Sequence, residues 1–167
     1  MNLKINALLD KEFQPMAIVY RDFISAAEKE GAKNIAISAV RDNDFVSTFK
    51  TKIFAKGHEE ENYTFIERIA KTLLWSRGGY KLIISGDMQI AKRLEEAYKV
   101  GGDRDFDRGF MSRVYERPFE VIGVEKFEDA PETHEKSDSI GRHLDGCRIG
   151  FDAGGSDRKV SAVVDGE

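Results

Sequence analysis

Four residues near the C-terminal end of the chain interrupt an otherwise apolar run. In IGFDAGGSDRKVSAVV, residues 149–164, they are Asp152, Gly154, Gly155 and Ser156. Residues without side chains let backbone amides close on a phosphate, and the Ser156 hydroxyl can donate to a phosphate oxygen. A carboxylate at Asp152 beside that phosphate is repelled unless a cation stands between them. Magnesium, bound through water by a carboxylate and by phosphate oxygens, is the natural bridge. The same four residues also suit an ordinary hairpin turn, with Gly-Gly at positive φ and Asp as turn former. Taken alone, they lean toward that turn. Because the glycines lie between two strand patterns, neither a Rossmann fingerprint nor a P-loop is spelled, since both require a helix after the glycines.

The elements that position these residues are two short strands, one ending at Asp152 and one resuming before Val160, followed by a second turn signal at Asp165-Gly166. Upstream, KFEDAPETHEKSDSIGRHLDG, residues 126–146, is charged, contains a proline and sustains no period, so it reads as a linker. Residues 1–125 read as an α/β unit. After an irregular lead-in, Met16–Tyr20 suits a strand or the first part of a helix, and residues 21–31 place Phe23, Ile24 and Ala27 on one helical face ending at Gly31. Residues 34–54 alternate as a hairpin, punctuated at Asp42-Asn43. Glu59–Ser76 is the strongest helix, with Phe65, Ile66, Ile69, Ala70, Leu73 and Leu74 at three- and four-residue steps. Residues 80–85 form a buried-type strand, Asp87 caps a helix carrying Ala91, Leu94 and Ala97, and a strand starts at Pro118 after one irregular helix. The domains are therefore 1–125, a linker 126–146, and 147–167. The fold class is α/β, with an N-terminal mixed sheet and flanking helices, a linker, then a β-hairpin.

Other residues able to do chemistry read as structural. His58, His134 and His143 sit in polar segments with no metal-ligand spacing between them. The DRDFDR run, 103–108, resembles a carboxylate cluster, yet its interleaved arginines suggest a solvated, self-paired surface. Trp75, at a helix end, suits core or interface better than ligand stacking.

With 167 residues, the chain can bury a core; about two thirds of the unfolded surface disappears at this size. A composition 41% hydrophobic and 34% charged fits a globular protein. The net charge of −4 argues against nonspecific nucleic-acid binding. Cys147 is the only cysteine, which excludes an internal disulfide and a cysteine-based zinc site. No signal peptide or membrane-spanning run is recognisable, so a cytoplasmic location without membrane contact is expected.

The stretch IGFDAGGSDRKVSAVVDGE resembles the first phosphate motif of the actin-like ATPase and sugar kinase superfamily, and within it looks most like ROK-type proteins. GRHLDGCRIGFDAGGSDRKVSAVVDGE is similar to a ROK variant with a long N-terminal extension. The resemblance covers about the last 20 residues. It implies that the hairpin opens a ribonuclease H-like lobe, that Asp152 helps to hold magnesium through water, and that Gly154, Gly155 and Ser156 line the phosphates of ATP. This chain departs from the pattern after Ser156, where Asp157-Arg158-Lys159 is expected to lengthen the turn; of the two cations, Lys159 is expected to face the phosphate. A second phosphate loop, an adenosine site, a sugar loop, a general base and a zinc motif are implied beyond Glu167. The chain is thus expected to be the front part of an ATP-dependent sugar kinase, with ATP, magnesium and a sugar as partners of the full-length parent and no activity of its own. The alternative is a binding or regulatory α/β module that mediates protein association. An unpaired hairpin edge would favour homo-oligomers.

Overall fold

The computed structural model describes residues 8–10, 13–136 and 145–167. The chain divides into two compact units, Met1–Glu135 and Lys136–Glu167.

The first unit opens with α1, Met16–Glu30, so Met16–Tyr20 begins a helix rather than a strand. β1 (Ala32–Val40) and β2 (Val46–Phe54) form the expected antiparallel hairpin, and Asn43 takes the left-handed conformation its turn requires. α2 (Glu59–Arg77) starts with three glutamates, which complement the helix dipole, and stops at Gly78. β3 (Lys81–Ser85), α3 (Met88–Ala97), α4 (Asp105–Val114) and β4 (Glu120–Val124) complete the unit. Strand order is β2-β1-β3-β4, with β1 antiparallel to both neighbours and β3 parallel to β4. The sheet is therefore mixed and flanked by helices.

Register assigns the two faces of this sheet. Ile35, Ile37 and Ala39 of β1 share a side with Leu82 and Ile84 of β3 and belong to one core with Phe65, Ile66, Ile69 and Leu74 of α2 and Leu94 of α3. The T-shaped pair Phe23–Phe54 and the stacked pair Phe23–Phe65 bring α1 into the same cluster. On the opposite face Ala36, Ser38 and Ser85 are equally buried. Their cover comes from residues 127–135, read from sequence as linker. A 3-10 turn at Phe127–Asp129 touches β1 and β3, Thr48 donates to the Pro131 carbonyl at 2.7 Å, and His134 bridges Val46 on the outer edge of β2. The first unit thus runs ten residues past the boundary drawn at 125. A segment without helical or strand period still packs here, because proline, threonine and glutamate reach β2 singly and not as a repeating face.

The second unit is a hairpin of β5 (Cys147–Ala153) and β6 (Arg158–Val164). The intervening 137–144, including His143, lie outside the described residues.

Candidate functional site

Pairing in the C-terminal hairpin sets which of the chemistry-bearing residues share a face. Asp152 lies directly opposite Lys159, and Ala153 opposite Arg158. Alternation then puts Arg148, Gly150, Asp152, Lys159, Ser161 and Val163 on one face, and Cys147, Ile149, Phe151, Val160, Ala162 and Val164 on the other. Lys159, not Arg158, is the cation on the Asp152 side. Its Nζ lies 3.4 Å from Asp157 Oδ2, which draws the ammonium toward the turn.

Two expectations about the turn change. The connection consists of Gly154–Asp157 alone, so Arg158 and Lys159 already belong to β6 and do not lengthen it. Neither Gly154 nor Gly155 has positive φ, so the ordinary-turn reading loses its reason for two glycines. Gly154 is required by contact instead: a Cβ there would sit 2.9 Å from both the carbonyl oxygen and Oδ1 of Asp157. Gly155 is different, since a Cβ would meet nothing within 4 Å. Together with Ser156, Asp157 and Arg158, the two glycines line an open depression of about 450 Å³.

After β6, Asp165 and Gly166 both have positive φ, the mark of a two-residue hairpin turn. Val164 and Glu167 exchange both backbone hydrogen bonds across it, at 2.9 and 3.1 Å. Asp165 Oδ1 also accepts from the Gly146 amide at 2.9 Å, closing the base of the β5–β6 ladder. The apolar face of the hairpin is bare: Ile149 is 80% exposed, Phe151 65% and Val160 67%.

The donors present bear on how magnesium could be held. Among the described residues no three His, Cys, Asp or Glu side chains are placed to share a metal. A single carboxylate at Asp152 fits an ion that arrives already coordinated by nucleotide phosphates and reaches the protein through water. It does not fit a metal held by protein groups alone.

In the first unit the polar clusters tie elements together. Asp107, expected on a solvated surface, is buried; it accepts from Trp75 Nε1 at 2.6 Å and lies near Lys71 and Arg104. Arg104 also pairs with Glu67, and Asp105 with Arg108 at 2.7 Å. Asp87 caps α3 as expected, accepting from the amides of Gln89 and Ile90, both at 2.9 Å, and its other oxygen meets Lys33 at 2.7 Å. His58 precedes α2 and stands between Glu61 and Glu30, at 3.3 and 3.2 Å; their carboxylates, Glu61 foremost, raise its pKa above the ordinary imidazole value. Burial pushes the Tyr98 phenol well above its usual range. His134 is exposed and its Nδ1 lies 3.0 Å from the Asp44 carbonyl. None of these groups faces a nucleophile, a base and an anion site together.

No protein-family model, curated protein or solved structure gives a significant match to the chain. No helix among the described residues is long and apolar enough to cross a membrane.

Proposed function

We propose that the C-terminal hairpin is the first phosphate-binding hairpin of a ROK-type, ATP-dependent sugar kinase, the opening strands of a ribonuclease H-like lobe in a cytoplasmic enzyme. The observation that carries this reading is Gly155. Neither its φ nor any neighbour calls for glycine, yet glycine costs conformational entropy. A residue bare for no internal reason, next to the Ser156 hydroxyl, leaves room for a phosphate to reach backbone amides. The bare apolar face adds support, because an isolated two-stranded hairpin is marginal in water and gains stability from further strands or a helix.

In this reading Gly154 lets the turn close on Asp157, Gly155 and Ser156 receive phosphate oxygens, and Lys159 supplies positive charge on the Asp152 face. Asp152 orients the water shell of the nucleotide-borne magnesium, which when bound neutralises phosphate charge. Positioning and electrostatic stabilisation would carry most of the catalysis, and the hairpin alone supplies only part of that. The test is to read the gene through codon 167 and assay its whole product for magnesium-ATP-dependent phosphorylation of a sugar panel. Asp152→Asn and Gly155→Val should each lower kcat/KM by about 100-fold. A whole product that neither binds nor hydrolyses ATP would sink the reading.

A second reading, association through the first unit, is favoured by one observation. Trp75, Phe106 and Val114 are 46%, 70% and 57% exposed, and Trp75 and Phe106 lie together in one aromatic stack.

A further inference from the structure

The exposed aromatic face lies on α4 and the end of α2. Trp75 stacks on Phe110 with ring centroids 5.0 Å apart, and Phe106 continues the stack at 6.2 Å from Phe110. Phe106, Phe110 and Val114 are spaced by four residues and make one ridge along α4. Beside it runs the row Asp105, Gly109, Arg113, at the same spacing.

Gly109, in the middle of that second row, has no internal purpose. Its φ is not positive, and a Cβ would meet only the Arg113 guanidinium, at 3.7 Å. Glycine inside a helix costs about 1 kcal/mol relative to alanine. What it provides is a gap in the outward row, into which a ridge from another helix can settle. The ends of the row are opposite in charge. Asp105 accepts from the Gly101 amide and pairs with Arg108, while Arg113 has no acidic partner among the described residues.

These features are self-complementary. Asp105 and Arg113 each lie four residues from Gly109. A two-fold axis passing by Gly109 therefore sets Asp105 of one copy against Arg113 of the other, twice, and brings the two Gly109 backbones together with the Phe106–Phe110 ridges side by side. Isologous contacts have this form, in which residue i meets j and j meets i. We propose that α4, with Trp75 at its flank, is the homodimer interface of this protein, formed by antiparallel packing of two copies of α4 about Gly109. The inference rests on the association reading and is independent of the phosphate hairpin.

Sedimentation velocity on the full chain tests it. Wild type should dimerise reversibly, and Phe106→Glu, a substitution at an exposed position, should raise the dissociation constant by at least about tenfold with an unchanged circular dichroism spectrum. Arg113→Asp and Asp105→Lys should each weaken self-association, and mixing the two variants should restore a heterodimer, because both cross-pairs are then complementary. In a Cys147→Ser background, Gly109→Cys should give an interchain disulfide on oxidation by diamide. A wild-type chain that stays monomeric up to about 0.1 mM, well above the micromolar range of weak specific pairs, overturns this interface and any self-association through the first unit. Dimerisation that is unaffected by Phe106→Glu, and is lost instead in Phe151→Glu of the hairpin, overturns this interface alone.

Discussion

His58 shows what a single side chain does in this fold. It bridges the end of α1, through Glu30, to the start of α2, through Glu61, while its ring stacks on Phe54 at 3.9 Å. Because its folded pKa is raised above the unfolded value of about 6.5, protonation favours the folded state. That contribution is fully present below the unfolded pKa and is lost as pH rises through the folded one. His58→Gln should therefore lower the thermal midpoint more at pH 5.5 than at pH 9, in parallel melts followed by circular dichroism. A difference of the same size at both pH values would remove the ionic role and leave only the stacking. The sequence gives the histidine without its partners. Glu61 is three residues away, but Glu30 is 28 residues distant and is brought close only by the packing of α1 beside β2.

Elements repeat a pattern and end in different surroundings. NIAISAVRDNDFVSTF and RIGFDAGGSDRKVSAV both read strand, polar turn, strand, and both are antiparallel hairpins. The β1 arm of the first is buried on both faces, between the helical layer and residues 127–135, whereas the second is exposed almost throughout. Alternation specifies a hairpin; it does not say what will cover it. The segment 127–135 shows the reverse case, in which no period was present and the element still has a fixed place. Glu135 anchors it, bonded to Ser47, at 2.9 Å from Arg41 and 3.9 Å from Arg77, and the Ser47 hydroxyl followed by the two guanidinium groups lowers its pKa. A depressed carboxylate pKa contributes stability above the unfolded value of about 4.3 that is lost as pH falls through the folded value. Glu135→Gln should accordingly destabilise the chain at pH 7 by about 1 kcal/mol, with the difference shrinking below pH 4. Urea melts at the two pH values measure this, and an equal loss at both would show that the charge of Glu135 is not involved.

The whole molecule places its core in one unit. Every residue of the main hydrophobic cluster lies between Ile35 and Met111, and the partly buried side chains packed on it lie between Tyr20 and Val121. The C-terminal hairpin has a ladder but no buried apolar side chain. Residues 1–135, produced alone, should therefore melt cooperatively within about 3 °C of the full chain, a shift smaller than 1 kcal/mol would cause. In hydrogen exchange on the full chain, β5 and β6 amides should exchange far faster than those of β1 and β3. A loss of the cooperative transition on removing 136–167, or strong protection of the hairpin, would contradict this division.

Local chemistry was legible in the sequence wherever neighbours in the chain suffice. Asp87 caps α3, Gly31 and Gly78 end α1 and α2, and Asp165-Gly166 makes its turn, because each depends on bonds spanning a few residues. The periodic stripes of α2 and β1 likewise announce their buried faces, since a period is a property of the chain itself. Only the tertiary structure decided the rest. It put Asp107 under Trp75, covered Ser38 and Ser85 with a segment that has no period, and set Lys159 rather than Arg158 across from Asp152. It also showed that Gly155 and Gly109 are glycines the fold does not need. The reason is common to all of these: burial, register and free space around a Cβ are fixed by residues far away in sequence, and composition and spacing carry no record of them.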